Sequence, residues 1–394
     1  MTNVLPPVVE HAPRTPPVAP GARAYRQCVR CVMDTTDAEI QFDAAGICNH
    51  CRAYDARAEH ELVSEPRRAD ALAAIVDRIR KVGRGRDYDC IVGVSGGVDS
   101  TYTTYVASKL GLRPLAVHLD NGWNSEQAVR NIERSLAALQ IDLYTHVLDW
   151  EEFRDLQVAF LRASTPDGEI PTDHAIAALL YRSAVHHGVR YIIDGRNLAT
   201  EGILPPSWSR GHGDWKYIRS VQARFGSRRL RNFPHFGIGE LAYYTLVRRL
   251  KTVSPLNYVP YVKADVMQLI RKELGWEYYG GKHYESVYTR FFQGYVLPVK
   301  FGIDKRKAHL STLICSGQLT RERALEELAA PIYPAGLLEQ DKRFVLKKLE
   351  LSETAFAAIM AAAPRTFWDY PSYRRHPVFR SRRILTFYRR LKSS

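Results

Sequence analysis

The most constraining feature of the sequence is a turn rich in glycine and hydroxyl groups at residues 95–100, which read Ser-Gly-Gly-Val-Asp-Ser. An apolar, strand-like run at residues 90–94 precedes it, and residues 101–110 have the composition of a helix. Glycines let the backbone approach an anion, and free N–H groups at a helix N-terminus favour negative charge. An aspartate there can hold a Mg²⁺ that bridges phosphate oxygens. We therefore predict a phosphate cradle, with a plain strand–helix loop as the alternative, formed by Ser95, Gly96, Gly97, Asp99 and Ser100.

The turn lacks the lysine of the P-loop pattern and does not match the G-x-G-x-x-G dinucleotide pattern. It resembles the PP-loop of the ATP pyrophosphatase superfamily, whose members split ATP into AMP and pyrophosphate. The resemblance implies ATP and Mg²⁺ as cofactors.

Strand-like and helical segments alternate around this turn. The pattern predicts strands at residues 89–94, 114–119, 142–147 and 190–194, and helices at residues 71–81, 102–110, 125–139 and 175–187. This alternation of strands and helices indicates an α/β fold with a doubly wound parallel sheet. In such a sheet, ligands bind beyond the carboxyl ends of the strands. We expect a PP-loop ATP pyrophosphatase type of sheet, preceded by a four-cysteine zinc ribbon and followed by a mostly helical C-terminal region.

Two further polar loops follow predicted strands. Asp120 and Asn121 come after the second strand and resemble the segment that meets adenosine in the superfamily; an ordinary Asp-Asn-Gly turn is the alternative. Gly195, Asn197 and Glu201 follow the fourth strand and resemble the second phosphate- and metal-side loop. Glu201 could instead be an acid that favours a helix N-terminus.

Four of the six cysteines have the spacing of a metal site. The pattern C-x2-C-x16-C-x2-C offers four thiolates to one ion, which predicts a closed, structural Zn²⁺ site at Cys28, Cys31, Cys48 and Cys51. Disulfides or a redox pair are the alternatives. We expect Cys90 to be a core residue, and Cys315 to be structural rather than catalytic.

The middle and C-terminal parts mix basic residues with glycines and aromatics. Asp173 and His174 precede a predicted helix, where Asp173 could also be a helix N-cap. The basic residues in the later segments can bind phosphates, sugars or RNA, and their alternative is a solvated basic face; they include Lys282, His283, Arg290, Lys300, Lys305 and Arg306.

Taken together, residues 25–333 resemble the N-acetyl sugar amidotransferases of bacterial surface-polysaccharide pathways. The matching segments run from the four cysteines through the cradle to Gly-Gly-Lys-His-Tyr-Glu-Ser, which begins at Gly280, and Lys-Phe-Gly-Ile-Asp-Lys-Arg-Lys-Ala-His-Leu-Ser, which begins at Lys300. The resemblance implies conversion of a sugar N-acetyl group to an acetamidino group through an O-adenylyl imidate. It also implies ammonia from a separate glutaminase and a nucleotide-linked sugar as the substrate.

Within that resemblance the residues receive roles. Asp99, Lys282, His283 and Arg290 are the candidate catalytic residues. The candidate substrate-binding residues are Asp173, His174, Lys300, Lys305 and Arg306.

Two rival functions stay open. tRNA-thiolating enzymes also pair zinc ribbons with PP-loops and are basic, but they usually need catalytic cysteines beside the nucleotide. The other rival is a nucleotide-binding scaffold without enzymatic activity, for which the intact cradle is unexpected.

Composition and charge limit the partners and the location that can be expected for the protein. The chain has 394 residues and a net charge of +14, of which +8 falls in residues 365–394. The tail resembles a basic amphipathic helix that either contacts an anionic membrane or packs on its own domain. We do not expect nucleic acid as a partner. No apolar run approaches membrane-spanning length, so we expect a cytoplasmic protein.

The expected regions are a disordered arm (1–24), a zinc ribbon (25–62), a PP-loop domain (63–260), a substrate-binding region (261–333) and a helical basic tail (334–394).

Overall fold

The structure is a computed structural model that describes residues 24–62, 67–281, 284–334 and 336–375. Three predicted parts therefore lie outside the described residues: nearly all of the arm, the catalytic candidates Lys282 and His283, and residues 376–394 of the basic tail.

The centre of the molecule is a five-stranded parallel sheet with the order β3-β2-β1-β4-β5. Its strands are β1 (Cys90–Gly93), β2 (Pro114–Asp120), β3 (Leu143–Val147), β4 (Tyr191–Ile193) and β5 (Lys251–Val253). The chain winds outward from β1 to β3 and then returns to β4 and β5 on the other side of β1. This reversal confirms the predicted doubly wound parallel sheet and places its switch point at β1.

Helices surround the sheet and make up the C-terminal half. Their bounds are α1 (Asn49–Glu61), α2 (Arg67–Gly83), α3 (Val98–Lys109), α4 (Glu126–Leu139), α5 (Trp150–Ala163), α6 (Ile170–His186), α7 (Leu198–Glu201), α8 (Trp215–Phe225), α9 (Ile238–Ala242), α10 (Lys263–Leu274), α11 (Val287–Phe291), α12 (Lys305–Cys315), α13 (Arg321–Ala329), α14 (Leu337–Lys348) and α15 (Glu353–Ala361). A π-helix continues α9 over Tyr243–Val247 and another continues α11 over Phe292–Phe301.

The three central strands consist mainly of buried apolar residues. β1, β2 and β4 are buried almost throughout, as expected for strands covered by helices on both faces. β3 lies at the edge of the sheet, and most of its side chains are exposed. The short strand β5 was not predicted.

One large core joins the N-terminal and C-terminal parts to the sheet. It contains the four metal-site cysteines, Ile91 of β1 and residues of the last helices such as Phe356. The domain boundaries expected from the sequence stay predictions. Among the described residues, no helix combines the length and the apolar character needed to cross a membrane.

Candidate active site

The cradle occupies the carboxyl end of β1, where the chain enters α3. Gly97 is the residue before the helix, and Gly96 has a φ of 77°, a conformation that glycine adopts without strain. A Cβ on Gly96 would lie 2.4 Å from the carbonyl oxygen of Ala128 in α4. The Oγ atoms of Ser95 and Ser100 lie 3.1 Å apart. The backbone of the turn is thus packed against α4, and the two hydroxyl groups lie beside it. This arrangement suits a phosphate site.

Asp99 is positioned from two sides. The Tyr261 hydroxyl donates a short hydrogen bond to Asp99 Oδ1, and Asn197 Nδ2 lies 3.4 Å from the same oxygen. Burial, followed by the charge of Asp99, raises the pKa of Tyr261, so the phenol remains a donor at neutral pH. Neither contact uses Oδ2, and a half-buried carboxylate held in this way fits a Mg²⁺ ligand.

Gly195 supports the same residue through its backbone. A Cβ added at Gly195 would meet backbone atoms of Asp99 and Ser100 at 3.2–3.3 Å. Asn197 Oδ1 accepts a hydrogen bond from the Thr200 amide and so caps α7. The charge of Glu201, at the end of α7, contributes to the raised pKa of Tyr261, which places Glu201 near the same phenol. The structure thus brings the loop after β4 to the cradle.

A segment that follows α10 crosses the cradle. The Trp276 indole donates to the Gly96 carbonyl at 2.9 Å, and a Cβ on Gly97 would lie 3.5 Å from the Tyr279 hydroxyl. Tyr279 also hydrogen-bonds to the Glu285 side chain. Glu285 belongs to the Gly-Gly-Lys-His-Tyr-Glu-Ser segment, whereas Trp276 and Tyr279 lie before it and have no motif that predicts their place at the cradle.

The loop after β2 is held by its own side chains. Asp120 Oδ1 accepts from the Gly122 amide at 2.8 Å, and Asn121 Oδ1 accepts from the Trp123 amide at 3.1 Å. Asn121 Nδ2 reaches Thr172 Oγ1 in α6 at 3.4 Å. These are the contacts of an ordinary Asp-Asn-Gly turn, so contact of this loop with adenosine stays a prediction.

Charged residues form a second cluster beside the start of α6. His212 Nε2 lies 3.2 Å from Asp167 and 3.3 Å from Asp173, and Lys305 Nζ lies 3.6 Å from Glu169. Two of the predicted substrate residues, Asp173 and Lys305, therefore belong to one group. We call Asp167, Glu169, Asp173, His212 and Lys305 the acid–base cluster.

The cluster changes the protonation of its members. The burial of Asp173 among protein atoms raises the pKa of its carboxyl to about 6, and the charges of Glu169 and Asp167 add to this rise. Burial lowers the pKa of His212, but the hydrogen bond and charge of Asp167 outweigh it and raise the pKa to about 9. Burial also opposes the charge of Lys305, yet the neighbouring carboxylates raise its pKa overall.

Asp173 does not cap a helix. The N-cap position of α6 is Glu169, and Asp173 lies in the first turn of that helix. Its side chain keeps 51% of its surface accessible, although the carboxylate is set among protein atoms. A small ligand can therefore reach it.

His174 occupies a different environment. The ring is fully buried between Trp215 and Phe236, to which it lies parallel at centroid distances of 5.6 and 4.5 Å. Nδ1 donates to the His212 carbonyl at 2.7 Å, and Nε2 accepts from the Phe236 amide at 3.3 Å. Burial lowers the pKa of His174 to about 4. His174 positions His212 and does not reach an accessible surface, so the structure does not place it as a substrate contact.

Three other basic candidates have structural partners. Arg290 forms a two-point ion pair with Asp341, at 2.6 and 2.8 Å, and both side chains are largely buried. Lys300 donates to the carbonyls of Ile359 and Ala362 at the end of α15. Arg306 pairs with Asp304 and donates to three carbonyls at the end of α13. Helix ends carry unpaired carbonyls with partial negative charge, which explains these contacts.

The four predicted metal ligands converge. Their sulfur atoms all lie within 4.8 Å of one another, with Sγ–Sγ distances of 3.9 Å for Cys28–Cys51 and 3.7 Å for Cys31–Cys48 and Cys48–Cys51. A tetrahedral ion with bonds of about 2.3 Å has ligand atoms about 3.8 Å apart, so the donor set fits one such ion. Cys315 lies beside the group, 3.7 Å from Cys51.

The C-terminal part of the chain is similar to a family of known proteins. Residues 285–385 match the family model described as "LPS biosynthesis protein WbpG-like, C-terminal domain". A protein of Methanocaldococcus jannaschii, "Uncharacterized protein MJ1599", is 25% identical over 265 residues, which cover 67% of this chain and 80% of that protein.

Solved structures with similarity include NMN synthetase from Francisella tularensis (15% identity, 74% of this chain and 98% of that chain, TM-score 0.35). NH3-dependent NAD synthetase from Campylobacter jejuni shares 12% identity over 77% of this chain and 99% of its own, with a TM-score of 0.31. The U34-tRNA thiolase NcsA from Methanococcus maripaludis, with its [4Fe-4S] cluster, shares 16% identity over 68% and 84%, with a TM-score of 0.32. The C-terminal residues 285–385 are thus similar to the WbpG-like C-terminal domain, and they follow a doubly wound parallel sheet in which residues 95–100 are the candidate phosphate site.

Proposed function

We propose that the protein is an ATP-dependent amidotransferase of surface-polysaccharide biosynthesis, which forms AMP and pyrophosphate. In this proposal it converts the N-acetyl group of a nucleotide-linked sugar to an acetamidino group. The observation that carries the proposal is the junction between the WbpG-like segment and the loop after β2, which lies at the same edge of the sheet as the cradle. Ser125 donates to the Glu285 carbonyl at 2.8 Å, and Val287 donates to the Trp123 carbonyl at 3.0 Å. The start of the matched segment therefore borders the carboxyl edge of the sheet, where we propose that the nucleotide binds.

The cradle suits a nucleoside triphosphate. Ser95 and Ser100 provide hydroxyl donors, and the α3 N-terminus provides N–H groups and a favourable dipole. Asp99, fixed by Tyr261, would hold a Mg²⁺, which when bound would neutralise phosphate charge. Lys282 and His283 remain proposed phosphate contacts on the grounds of their sequence position.

Activation is needed because an amide carbonyl is a poor electrophile. The amide oxygen attacks the α-phosphorus of ATP, a P–O bond breaks, and pyrophosphate leaves with that electron pair. The product is an O-adenylyl imidate. Ammonia then adds to the imidate carbon, the C–O bond to AMP breaks, and the amidine remains on the sugar. The cradle's part is to bind the triphosphate and the departing pyrophosphate.

The positions of the cysteines support a separate ammonia supplier. Four of the six form the metal site, Cys315 lies against it, and Cys90 is fully buried in β1. None of them is placed as an accessible glutaminase nucleophile. We propose that ammonia comes from a separate glutaminase and that the reaction takes place in the cytoplasm.

The positions of the cysteines also argue against tRNA thiolation, the rival function. Cys90 opens β1, at the end of the sheet opposite the cradle, since the cradle follows the carboxyl end of that strand. A sulfur carrier would need a cysteine beside the nucleotide. The tight thiol group also favours a single structural Zn²⁺, because a cluster of several iron atoms would hold its thiolates further apart.

Turnover assays test the proposal. The purified protein is incubated with ATP, Mg²⁺, ammonium chloride and a panel of UDP- and CMP-linked N-acetyl sugars. We expect AMP and pyrophosphate to form only with the correct sugar, and mass spectrometry to show one oxygen of that sugar replaced by NH. Formation of ADP and phosphate, or ATP consumption that depends on tRNA and a sulfur donor instead of a sugar, contradicts the proposal.

A further inference from the structure

We propose that the acid–base cluster binds the ammonium ion and that Asp173 accepts its proton, releasing ammonia for attack on the imidate. This inference rests on the proposed function and adds the site of the second substrate. Nothing in the cradle itself performs this task, because ammonium is a cation and the cradle is built for anions.

The charge of the cluster fits a small monocation. Asp167, Glu169 and Asp173 carry three negative charges when ionised, while His212 and Lys305 carry two positive ones, which leaves a net charge of −1. The most accessible of the three carboxylates is that of Asp173, at 51% against 5% for Asp167 and 15% for Glu169. An incoming cation would therefore meet Asp173 first.

The protein holds the other members in place. Ser209 Oγ donates to Asp167 at 2.5 Å and lies 3.1 Å from His212 Nε2. Gln293 donates to Glu169 at 2.6 Å. Asp173, by contrast, has only His212 as a polar side-chain partner in the described part of the chain. It is thus the carboxylate with capacity for a ligand.

Tyr288 provides an independent sign of a ligand. Its side chain is 2% exposed, and its hydroxyl has no hydrogen-bond partner among the described residues. A Cβ on Gly168, the residue that joins Asp167 to Glu169 in the chain, would lie 3.0 Å from that hydroxyl. A buried hydroxyl without a partner is costly, so a bound donor such as ammonium at the cluster would satisfy it.

The location is suitable for the reaction. α6 leads directly into the parallel strand β4, so its N-terminal end lies at the carboxyl edge of the sheet, the same edge as the cradle. The hydrogen bond between Asn121 and Thr172 links that end of α6 to the loop after β2. Asp173 is the residue after Thr172.

The proposed step is balanced in protons and electrons. Ammonium transfers one proton to the Asp173 carboxylate and becomes ammonia. The ammonia lone pair forms the C–N bond to the imidate carbon, and the C–O bond breaks with its electron pair going to AMP. The Asp173 carboxyl then releases its proton to solvent. His212 and Lys305 keep their protons and serve as positioning residues.

The test separates the two half-reactions of the full-length protein. ATP–pyrophosphate exchange that depends on the N-acetyl sugar reports adenylation, and amidine formation reports ammonia addition. In Asp173→Asn we expect the exchange to persist and ammonium-dependent amidine formation to fall by about 100-fold or more. Hydroxylamine, a nucleophile that is uncharged at neutral pH, should restore turnover in this variant. The control is Asp77→Asn, an exposed carboxylate on α2, which should match the unsubstituted protein.

A binding measurement gives a readout besides activity. Ammonium chloride, compared with sodium chloride at equal ionic strength, should raise the melting temperature of the unsubstituted protein and of Asp77→Asn but not of Asp173→Asn. Unchanged ammonium use in Asp173→Asn, loss of exchange in that variant, or no rescue by hydroxylamine overturns the inference while leaving the amidotransferase proposal standing. No sugar-dependent exchange in the unsubstituted protein overturns both.

Discussion

The Tyr261 hydroxyl donates a hydrogen bond to Oδ1 of Asp99, so a residue far along the chain fixes the carboxylate that we propose as a Mg²⁺ ligand. This contact joins the segment between β5 and α10 to the unit formed by β1, the cradle and α3. The geometry of the cradle therefore depends on tertiary packing as well as on the local Ser-Gly-Gly-Val-Asp-Ser order.

Loss of the Tyr261 hydroxyl should weaken catalysis without unfolding the protein. A hydrogen bond to a charged group contributes about 1.5–3 kcal/mol, so Tyr261→Phe should lower kcat/KM for ATP by about ten- to a hundredfold. Asp99→Ala should remove most activity. Both variants should keep the circular dichroism of the unsubstituted protein. Full activity in Tyr261→Phe would show that the contact does not position Asp99.

Replacement of Gly96 should be costly for two reasons. Its φ is positive, and the Ala128 carbonyl occupies the place that a Cβ would take. Gly85 has a similar φ of 75°, but a Cβ there meets nothing within 4 Å, whereas at Gly96 it would meet the Ala128 carbonyl oxygen. Alanine in the left-handed region costs about 1–2 kcal/mol at either site. Gly85→Ala should show this penalty only, and Gly96→Ala should in addition lose ATP binding, measured by calorimetry. Equal behaviour of the two variants would contradict the steric account.

The metal site should hold one Zn²⁺ per chain. Cys48→Ser removes one of four ligands and should lose most of the bound zinc and much of the stability, because metal binding supplies folding free energy. Cys315→Ser should keep the zinc, although Cys315 lies only 3.7 Å from Cys51. Elemental analysis of protein purified under reducing conditions decides the matter, and iron in place of zinc would count against the assignment.

His212 should make stability depend on pH in a defined window. Its pKa is raised from 6.5 to about 9 in the folded protein. The stabilisation is therefore fully present below pH 6.5 and is lost as the pH rises through 9. The melting temperature of the unsubstituted protein should fall across this window more steeply than that of His212→Gln. Parallel curves for the two proteins would mean that His212 is not held as a cation.

Arg290 should act through stability and not through phosphate contact. Removing one partner of a buried ion pair costs about 3–5 kcal/mol. Arg290→Ala and Asp341→Ala should therefore lower the melting temperature to a similar extent, because each breaks the same pair. If Arg290→Ala kept its stability and lost activity, the catalytic role expected from the sequence would be restored.

Local patterns predicted the parts of the structure that depend on neighbouring residues. Three short-range signals were confirmed: the buried runs of β1, β2 and β4, the strand–turn–helix unit around residues 95–100, and the convergence of the four spaced cysteines. β5 was missed because Lys251–Val253 is only three residues long and begins on a basic residue just after Arg248 and Arg249.

The parts of the structure that were not predicted depend on contacts between residues far apart in the sequence. Asp167 and His212 meet across 45 positions from irregular segments, and neither segment carries a motif. Lys300 and Arg306 were expected to bind substrate because they are basic and lie near glycines. Their partners are the carbonyl ends of α15 and α13, which only the packing of those helices reveals.

The most direct test of the account follows the acetyl oxygen. An N-acetyl sugar nucleotide that supports turnover is prepared with ¹⁸O in the acetyl carbonyl and is converted in the presence of ATP and ammonium. Because the amide oxygen attacks the α-phosphorus, the account predicts that the label appears in AMP and that pyrophosphate is unlabelled. Label in inorganic phosphate, or label retained on the sugar, would contradict adenylation of the amide.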